Sequence, residues 1–596
     1  MKSCNIVLKD QEKLITDSET LSNIFNDYFI NITSTLKLKK SLPKCKSLSD
    51  LLNTYKDHSS ILKIRETYEV QQPFNFKEVS PEEIQKIIKS LNKKKSAITS
   101  CIPVEILINS IDTYLPFLTD IINKSIKNGV FPDELKLAEV IPLFKKADPF
   151  DKINYRPVSL LSHVSKVFER IIFNQINDYI EPFLSKLLTG FRKNHNTQHS
   201  LLNMLEKWKE ALDKGDSIGA IFMDLSKAFD TLNHDLLVAK LEAYGFSLIS
   251  IAYIQSYLDQ RLQRTNVNNS FSLWKEIIAG VPQGSILGPL LFNIYINDIF
   301  LFVEKAFLSN YADDTALYSI QKDQRDNRTV LNRNFLSLQN WFYENYMVLN
   351  PEKCCYMCFS SKPNKTDFIL EDGTIIPFSE EHVVLGITID SHLNFYKHLK
   401  QLCKKVANKL NALTRIVPYL NRNQIKLIYN SFFLGQLNYC PLIWTFCSRR
   451  SNNLINKLQE RALRMTFRDY ESSFSELLEI ANETTIHIRN IRTLMIETYK
   501  FLNDLSPPII ADLFQKNECS YSLRNTRSLS SKHKSTLRYG IDTVSYKGPK
   551  IWQNLPQEIR NSQSLNLFKS KIKEVRQFCC QCKICRTFIP NFGYID

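Results

Sequence analysis

Apolar residues recur at helical spacing near the start of the chain, at Leu21, Ile24, Phe25, Tyr28 and Phe29, inside an otherwise polar stretch reaching to about residue 70. Three- and four-residue spacing puts them on one helix face, which needs a core to lie on. A sharper helix start follows at Ser80-Pro81-Glu82-Glu83, with Ser as N-cap, Pro at the first helical position and Glu at the third. Ile84, Ile87, Ile88 and Leu91 mark its buried face, and Lys93-Lys94-Lys95 reads as its solvated end. Val140 to Phe144 is a short strand pattern that delivers Lys145 and Lys146 into a polar loop; Asn154 to Leu160 then resumes the apolar pattern. Gly190-Phe191-Arg192-Lys193 precedes a helix from about Thr197 to Leu212. Ile218 to Met223 is a β-like run ending in Asp224, and Leu290 to Ile299 is an apolar helical stretch. Phe307 to Tyr318 reads as two strands around the turn-forming pair Asp313-Asp314. From about residue 395 the pattern turns helical, with one stripe at Leu399, Leu402, Val406, Leu410 and Leu413 and another at Leu454, Ile455, Leu458, Ala462 and Leu463.

These elements bring particular chemistry with them. Two adjacent carboxylates at a hairpin tip repel, which costs stability unless a cation neutralises them. Mg2+ is the hard cation usually held by a few carboxylates together with substrate phosphates. An apolar strand ending in Asp, as at Asp224, is where α/β sheets present ligand-binding groups, so a third carboxylate is available to Asp313 and Asp314. Glycine is scarce, at 14 of 596 residues, yet Gly280, Gly284 and Gly288 fall within nine positions around Gln283. Such clustering lets a backbone approach a ligand closely. Lys145, Lys146 and Arg156 form a candidate triphosphate clamp, although ordinary surface charge explains them equally well. Lys457, Arg461, Arg464 and Arg468 repeat at 4-3-4 spacing along one side of a helix, as a phosphate-tracking stripe or a solvated face would.

The 596 residues suffice for roughly three or four domains or subdomains. A net charge of +16 and a pI near 9.0 suit a polyanionic partner such as nucleic acid. Met1 to Leu14 contains no apolar signal core, and Ile286 to Leu308, interrupted by Pro289, Asn293, Asn297, Asp298 and Glu304, is too polar for a membrane span. The fourteen cysteines lack a secreted spacing, so the expected setting is reducing and intracellular, in the nucleus or cytoplasm. Cys579-Cys580-Gln581-Cys582-Lys583-Ile584-Cys585 offers four thiols, but with neither a second ligand pair nor a nearby His the sequence disfavours a tetrahedral zinc site.

In order along the chain, Asp224-Leu225-Ser226-Lys227-Ala228-Phe229-Asp230, Pro282-Gln283-Gly284-Ser285 and Tyr311-Ala312-Asp313-Asp314 resemble motifs A, B and C of reverse transcriptases. The flanking blocks are similar to those of non-LTR retrotransposons of the jockey and CR1-like group. Asn154 to Leu161 and Gly190-Phe191-Arg192 resemble the finger motifs, Asn345, Asn350 and Lys353 resemble motif D, and Leu385-Gly386-Ile387 resembles the primer-grip strand. The resemblance covers about residues 80–400. It departs at Lys95-Ser96-Ala97-Ile98-Thr99-Ser100, which lacks the family's Gly and Asp. Nothing in residues 1–80 resembles the upstream endonuclease of related elements, so the expectation is a truncated or separately encoded polymerase part.

The resemblance implies an α+β, right-hand polymerase fold. Its expected parts are an N-terminal helical extension (1–79), fingers and palm (80–390, core about 125–390), a helical thumb-like region (391–475) and a mostly helical C-terminal extension with the Cys-rich tail (476–596). It implies RNA-directed DNA synthesis with an RNA template, a DNA primer and dNTPs, and no membrane partner. Asp224, Asp313 and Asp314 would hold two Mg2+ ions, with Mn2+ as a substitute. Lys145, Lys146, Arg156, Phe229, Gln283, Gly284 and Lys353 would serve the nucleotide. Arg192, Gly386, Lys457, Arg461, Arg464 and Arg468 would serve the nucleic acid. Viral RNA-dependent RNA polymerases carry a second Asp five residues after the first to bind the ribose 2′-hydroxyl; here that position is Phe229, which points to deoxynucleotides. A catalytically silent, nucleic-acid-binding relic is the alternative from another class.

Overall fold

A computed structural model describes residues 6–10, 13–32, 47–93, 96–99, 101–225, 227–350, 353–516, 529–530, 536–585, 588–589 and 593–594. Lys94, Lys95, Ser100 and Ser226, which belong to segments singled out above, lie outside the described residues. In chain order the strands used below are β1 (Leu137–Phe144), β2 (Tyr155–Leu160), β3 (Ser217–Asp224), β4 (Leu262–Val267), β5 (Phe307–Tyr311), β6 (Asp314–Gln321), β7 (Cys355–Phe359), β8 (Glu381–Val384) and β9 (Ile387–Asp390). The helices are α1 (Ser18–Ile30), α2 (Pro81–Lys89), α3 (Thr197–Asp213), α4 (Gly288–Ile296), α5 (Tyr396–Thr414), α6 (Arg449–Phe467), α7 (Ile486–Leu502), α8 (Val544–Gln553) and α9 (Leu565–Glu574). Helix and sheet are mixed, and the chain divides into two compact units that interleave along the sequence.

The first unit comprises Met1–Phe191, Leu225–Val303 and Asn334–Asn350. Three strands of its five-stranded sheet run β2-β1-β4, with β1 antiparallel to β2 and parallel to β4. The apolar face of α1 supplies Leu21, Phe25, Tyr28 and Phe29 to a buried cluster with Val140, Tyr155 and Val267 of this sheet. Phe25 meets the Tyr155 ring edge-on at 4.9 Å. Each such side chain withdrawn from water contributes about 1.5–3 kcal/mol. The cap expected for α2 is present, Ser80 Oγ accepting from the Glu83 amide at 3.3 Å.

The second unit comprises Arg192–Asp224, Glu304–Arg333 and Pro351–Asp596. Its four-stranded antiparallel sheet has the order β7-β3-β6-β5. β3 is buried from Ser217 to Met223, which is why it reads as a continuous apolar run rather than an alternation. Trp208 of α3, fully buried, packs on Phe222, Tyr318 and Phe359 from three strands of this sheet. The rest of the unit is largely helical. α5 packs with α6, and α7 packs with α8 and α9, where the Tyr499 ring stacks on Phe568 at 4.4 Å. No helix among the described residues is long and apolar enough to cross a membrane.

Candidate active site

β3 leaves the core at Asp224, its last residue and its first half-exposed one. β5 and β6 form a hairpin in which Tyr311 pairs with Asp314, leaving Ala312 and Asp313 as a two-residue turn. Ala312 takes a left-handed φ of 57°, a conformation that costs an L-residue energy and that the surroundings must hold. The buried Asn310 amide does so by donating to the Ala312 carbonyl (3.0 Å) and to Thr315 Oγ1 (2.8 Å). Asp314 then stands directly opposite Asp224 in the β6–β3 ladder. Facing residues of an antiparallel pair share a side of the sheet with Cβ atoms about 4.5–5.5 Å apart. Asp224 and Asp313 are half-buried, and Asp314 is exposed.

Lys353 is drawn to this negative charge, its Nζ lying 3.5 Å from Asp224 Oδ2. Both side chains are about half exposed, at 58% and 48%. A pair so open to water is weak and easily exchanged for another cation. Behind Asp224 the ground is apolar. His382 stacks on Phe222 at 4.7 Å, and burial lowers its pKa despite the nearby Asp224 charge. The buried Cys354 thiol is pushed up to about 12, chiefly by desolvation. Sequence reasoning missed both residues, and nothing local in the sequence distinguishes them from core side chains.

In the first unit, the turn after β3 and the glycine-rich loop close on each other. The Val281 amide donates to the Phe229 carbonyl (3.0 Å) and the Gly280 amide to Leu232 (2.8 Å). A Cβ on Gly280 would lie 2.8 Å from the Asp230 backbone, and one on Gly284 only 2.3 Å from the Ser159 carbonyl. Both glycines have positive φ as well, so the close approach and the backbone conformation each require them. Gln283 Nε2 donates to Asp230 Oδ1 at 2.7 Å. Enclosure pushes the Asp230 carboxyl up to about 6, opposed by Gln283, Lys227 and Arg156. The far end of the loop is pinned by the buried Glu169, which accepts from the Ile286 amide (2.5 Å) and from Tyr257 Oη (3.0 Å). The Phe229 ring is clamped, stacked on Phe292 at 4.4 Å and edge-on to Phe191 at 5.6 Å. Lys145, Lys146 and Arg156 are exposed where β1 turns into β2, Arg156 facing Leu143 across the ladder.

The residues assigned above to nucleic acid are placed less uniformly. Arg192 is only 8% exposed, so little of it faces solvent. Gly386 does not lie within a strand. Leu385 and Gly386 form the turn between β8 and β9, both with positive φ, a geometry the hairpin needs and a strand ladder cannot accommodate. On α6, Arg464 is tied to Glu460 (2.7 Å) and Arg461 to Asn411 Oδ1 (2.7 Å), and Arg468, the left-handed residue that ends the helix, donates to the carbonyls of Val417 and Leu420 (both 3.1 Å). The expected stripe is therefore largely engaged within the unit. Lys457 is exposed and shares a shallow groove with Arg449, Arg450, Asn453 and Leu454.

Residues 144–412 match the family described as reverse transcriptase (RNA-dependent DNA polymerase). Over 422 residues the chain is 30% identical to the probable RNA-directed DNA polymerase from transposon BS of Drosophila melanogaster, covering 66% of this chain and 45% of that protein. It is 28% identical over 402 residues to the RNA-directed DNA polymerase from the mobile element jockey of the same organism, covering 65% and 43%. To the probable RNA-directed DNA polymerase from transposon X-element, also of Drosophila melanogaster, it is 26% identical over 365 residues, covering 59% and 39%. The chain thus spans under half the length of these relatives.

Proposed function

Because the chain carries a reverse transcriptase domain of the non-LTR retrotransposon kind, we propose that the protein is an RNA-directed DNA polymerase extending a DNA primer on an RNA template with dNTPs. The observation that carries this reading is the ladder that sets Asp314 opposite Asp224, with Asp313 in the adjoining turn. Three carboxylates at one sheet end, countered there by a displaceable lysine, form an all-oxygen donor set suited to hard divalent cations. Two Mg2+ ions bound there would supply a lowered pKa at the primer 3′-hydroxyl and charge compensation for the triphosphate; Mn2+ accepts the same donors.

Asp224 and Asp313 would hold the ions, with Asp314 assisting. Lys353, released from Asp224, would supply a proton to the departing pyrophosphate. Lys145 or Lys146 with Arg156 would cradle phosphate oxygens, Arg156 offering a fork and the lysines point charges. Gln283 and Gly284 would position the nucleotide and template, on a loop whose backbone bonds to Phe229, Leu232 and Ser159 keep it in place. Phe229 would exclude the ribose 2′-hydroxyl, a role supported by the two rings that fix its own. Under this reading residues 80–390 form fingers and palm, 391–475 a thumb-like region and 476–596 an extension, with 1–79 preceding them. Lys457 is the best presented of the basic residues on α6 for the template-primer backbone.

The test is primer extension by the purified chain on poly-rA/oligo-dT with dNTPs and Mg2+, beside Asp313→Asn. Extension that is lost in the variant supports the proposal. A folded, RNA-binding wild type that extends nothing with Mg2+ or Mn2+ identifies a silent relic instead.

A further inference from the structure

The tail cysteines, which the sequence leaves without a histidine partner, acquire one in the folded unit. His487, second residue of α7, meets Cys580, Cys582 and Cys585, and one ligand atom from each of the four lies within 4.8 Å of all the others. His487 Nε2 is 3.4 Å from Cys582 Sγ and 3.3 Å from Cys585 Sγ. A tetrahedral zinc with Zn–S near 2.3 Å and Zn–N near 2.0–2.1 Å has N···S edges of roughly 3.5 Å. His487, Cys580 and Cys582 are 4%, 3% and 1% exposed.

The imidazole is oriented for a metal. Nδ1 lies 3.2 Å from the Thr445 carbonyl, which can only accept, so Nδ1 carries the proton and the Nε2 lone pair faces the sulfurs. The segment bearing the thiols has no strand partner or helix of its own from Val575 to Gln581. It is laid onto α7 by Arg492, whose Nε and Nη2 donate to the Val575 carbonyl (3.2 and 2.8 Å), and its turn at Gln581 is left-handed, with Lys547 Nζ donating to the Gln581 carbonyl (2.9 Å).

We propose that His487 Nε2 and the sulfurs of Cys580, Cys582 and Cys585 bind one Zn2+ as a closed structural site that staples the tail to α7. Soft sulfur donors with one imidazole select zinc over the hard cations suited to the carboxylate set, and four protein ligands leave no open position for chemistry. Binding releases the three thiol protons to solvent and leaves a site of net charge −1, beside which Lys547 and Lys583 both reach Asp542 (3.8 and 3.4 Å). Cys579, exposed and adjacent in sequence, lies outside the ligand set.

The experiment is metal analysis of the full chain purified under reducing conditions with zinc in the medium, together with exchange into Co2+. One zinc per chain is expected, retained by Cys579→Ser and lost by Cys582→Ser and by His487→Gln. The cobalt form of the wild type should show thiolate charge-transfer absorption and the intense d–d bands of a tetrahedral ion, a readout that stands even where a ligand variant fails to fold. A wild type that holds no stoichiometric zinc, a cobalt spectrum of octahedral oxygen ligation, or equal loss of zinc in Cys579→Ser and Cys582→Ser overturns the proposal.

Discussion

The second unit carries two candidate ligand sets built in opposite ways. Asp224, Asp313 and Asp314 stand at a sheet end, half-buried to exposed, with an exchangeable lysine as counter-ion. Cys580, Cys582 and His487 are almost wholly enclosed, and the histidine is held by a backbone carbonyl. The first set remains open to water. In the second, the four donor atoms lie within 4.8 Å of one another. Donor chemistry follows the same division, hard oxygen where ligands must exchange and soft sulfur with nitrogen where they must not. Openness suits turnover, and enclosure suits stability.

The largest effect should come from the open set. Asp224→Asn or Asp313→Asn is expected to reduce primer extension by about a thousandfold or more, since metal-held charge stabilisation is worth several kcal/mol and each 1.36 kcal/mol is tenfold. Melting temperature should hold steady or rise slightly as repulsion is relieved. A variant that keeps near wild-type extension removes these carboxylates from catalysis.

The enclosed set should behave in the reverse manner. Chelation, or Cys582→Ser, is expected to lower the melting temperature by roughly 5 °C or more while leaving residual extension measurable at low temperature. If chelation left melting unchanged, the contrast between the two sets would collapse.

Phe229 tests a site defined by shape rather than charge. Phe229→Ala should raise CTP use relative to dCTP by about tenfold to a hundredfold in the ratio of kcat/KM, the size expected for steric discrimination in a fitted pocket. A wild type that already accepts CTP as readily as dCTP contradicts the reverse-transcriptase reading itself.

Asp230 shows what enclosure does to a carboxylate. Its pKa is raised from 3.8 to about 6, so the folded state favours the neutral acid. The associated stability is present in full below the ordinary value and is lost as pH rises through about 6. Asp230→Asn should flatten stability between those limits by on the order of 1 kcal/mol, read from denaturant midpoints at several pH values. An unchanged pH profile would show that Asp230 is effectively solvated.

The smallest effect concerns Lys353. Removing it should free Asp224 and lower the half-saturating Mg2+ concentration by about twofold to fivefold, the worth of an exposed ion pair. Maximal rate should fall, as expected for loss of a proton donor. Unchanged Mg2+ dependence would mean that the lysine does not compete at Asp224.

Much of this was legible in the linear chain because it is local. The run into Asp224, the turn at Asp313 and the Ser80 cap depend on residues within a few positions, where period and turn chemistry speak directly. The close-packed glycines Gly280 and Gly284 could be noticed because glycine is so rare here. The α6 arginines were less readable. Their row is a local pattern, but the Val417, Leu420 and Asn411 groups that occupy two of them come from elsewhere in the chain.

The sequence by itself determined the run into Asp224, the turn at Asp313, the cap at Ser80 and the clustering of Gly280, Gly284 and Gly288, since each follows from backbone sterics and side-chain periodicity over a few residues. Only the tertiary structure decided that Asp224 and Asp314 face each other, that Arg192 is covered, and that His487 reaches three cysteines far beyond it in the chain. Those facts depend on strand register and helix packing, which bring distant residues within ångströms and leave no trace in the spacing between them.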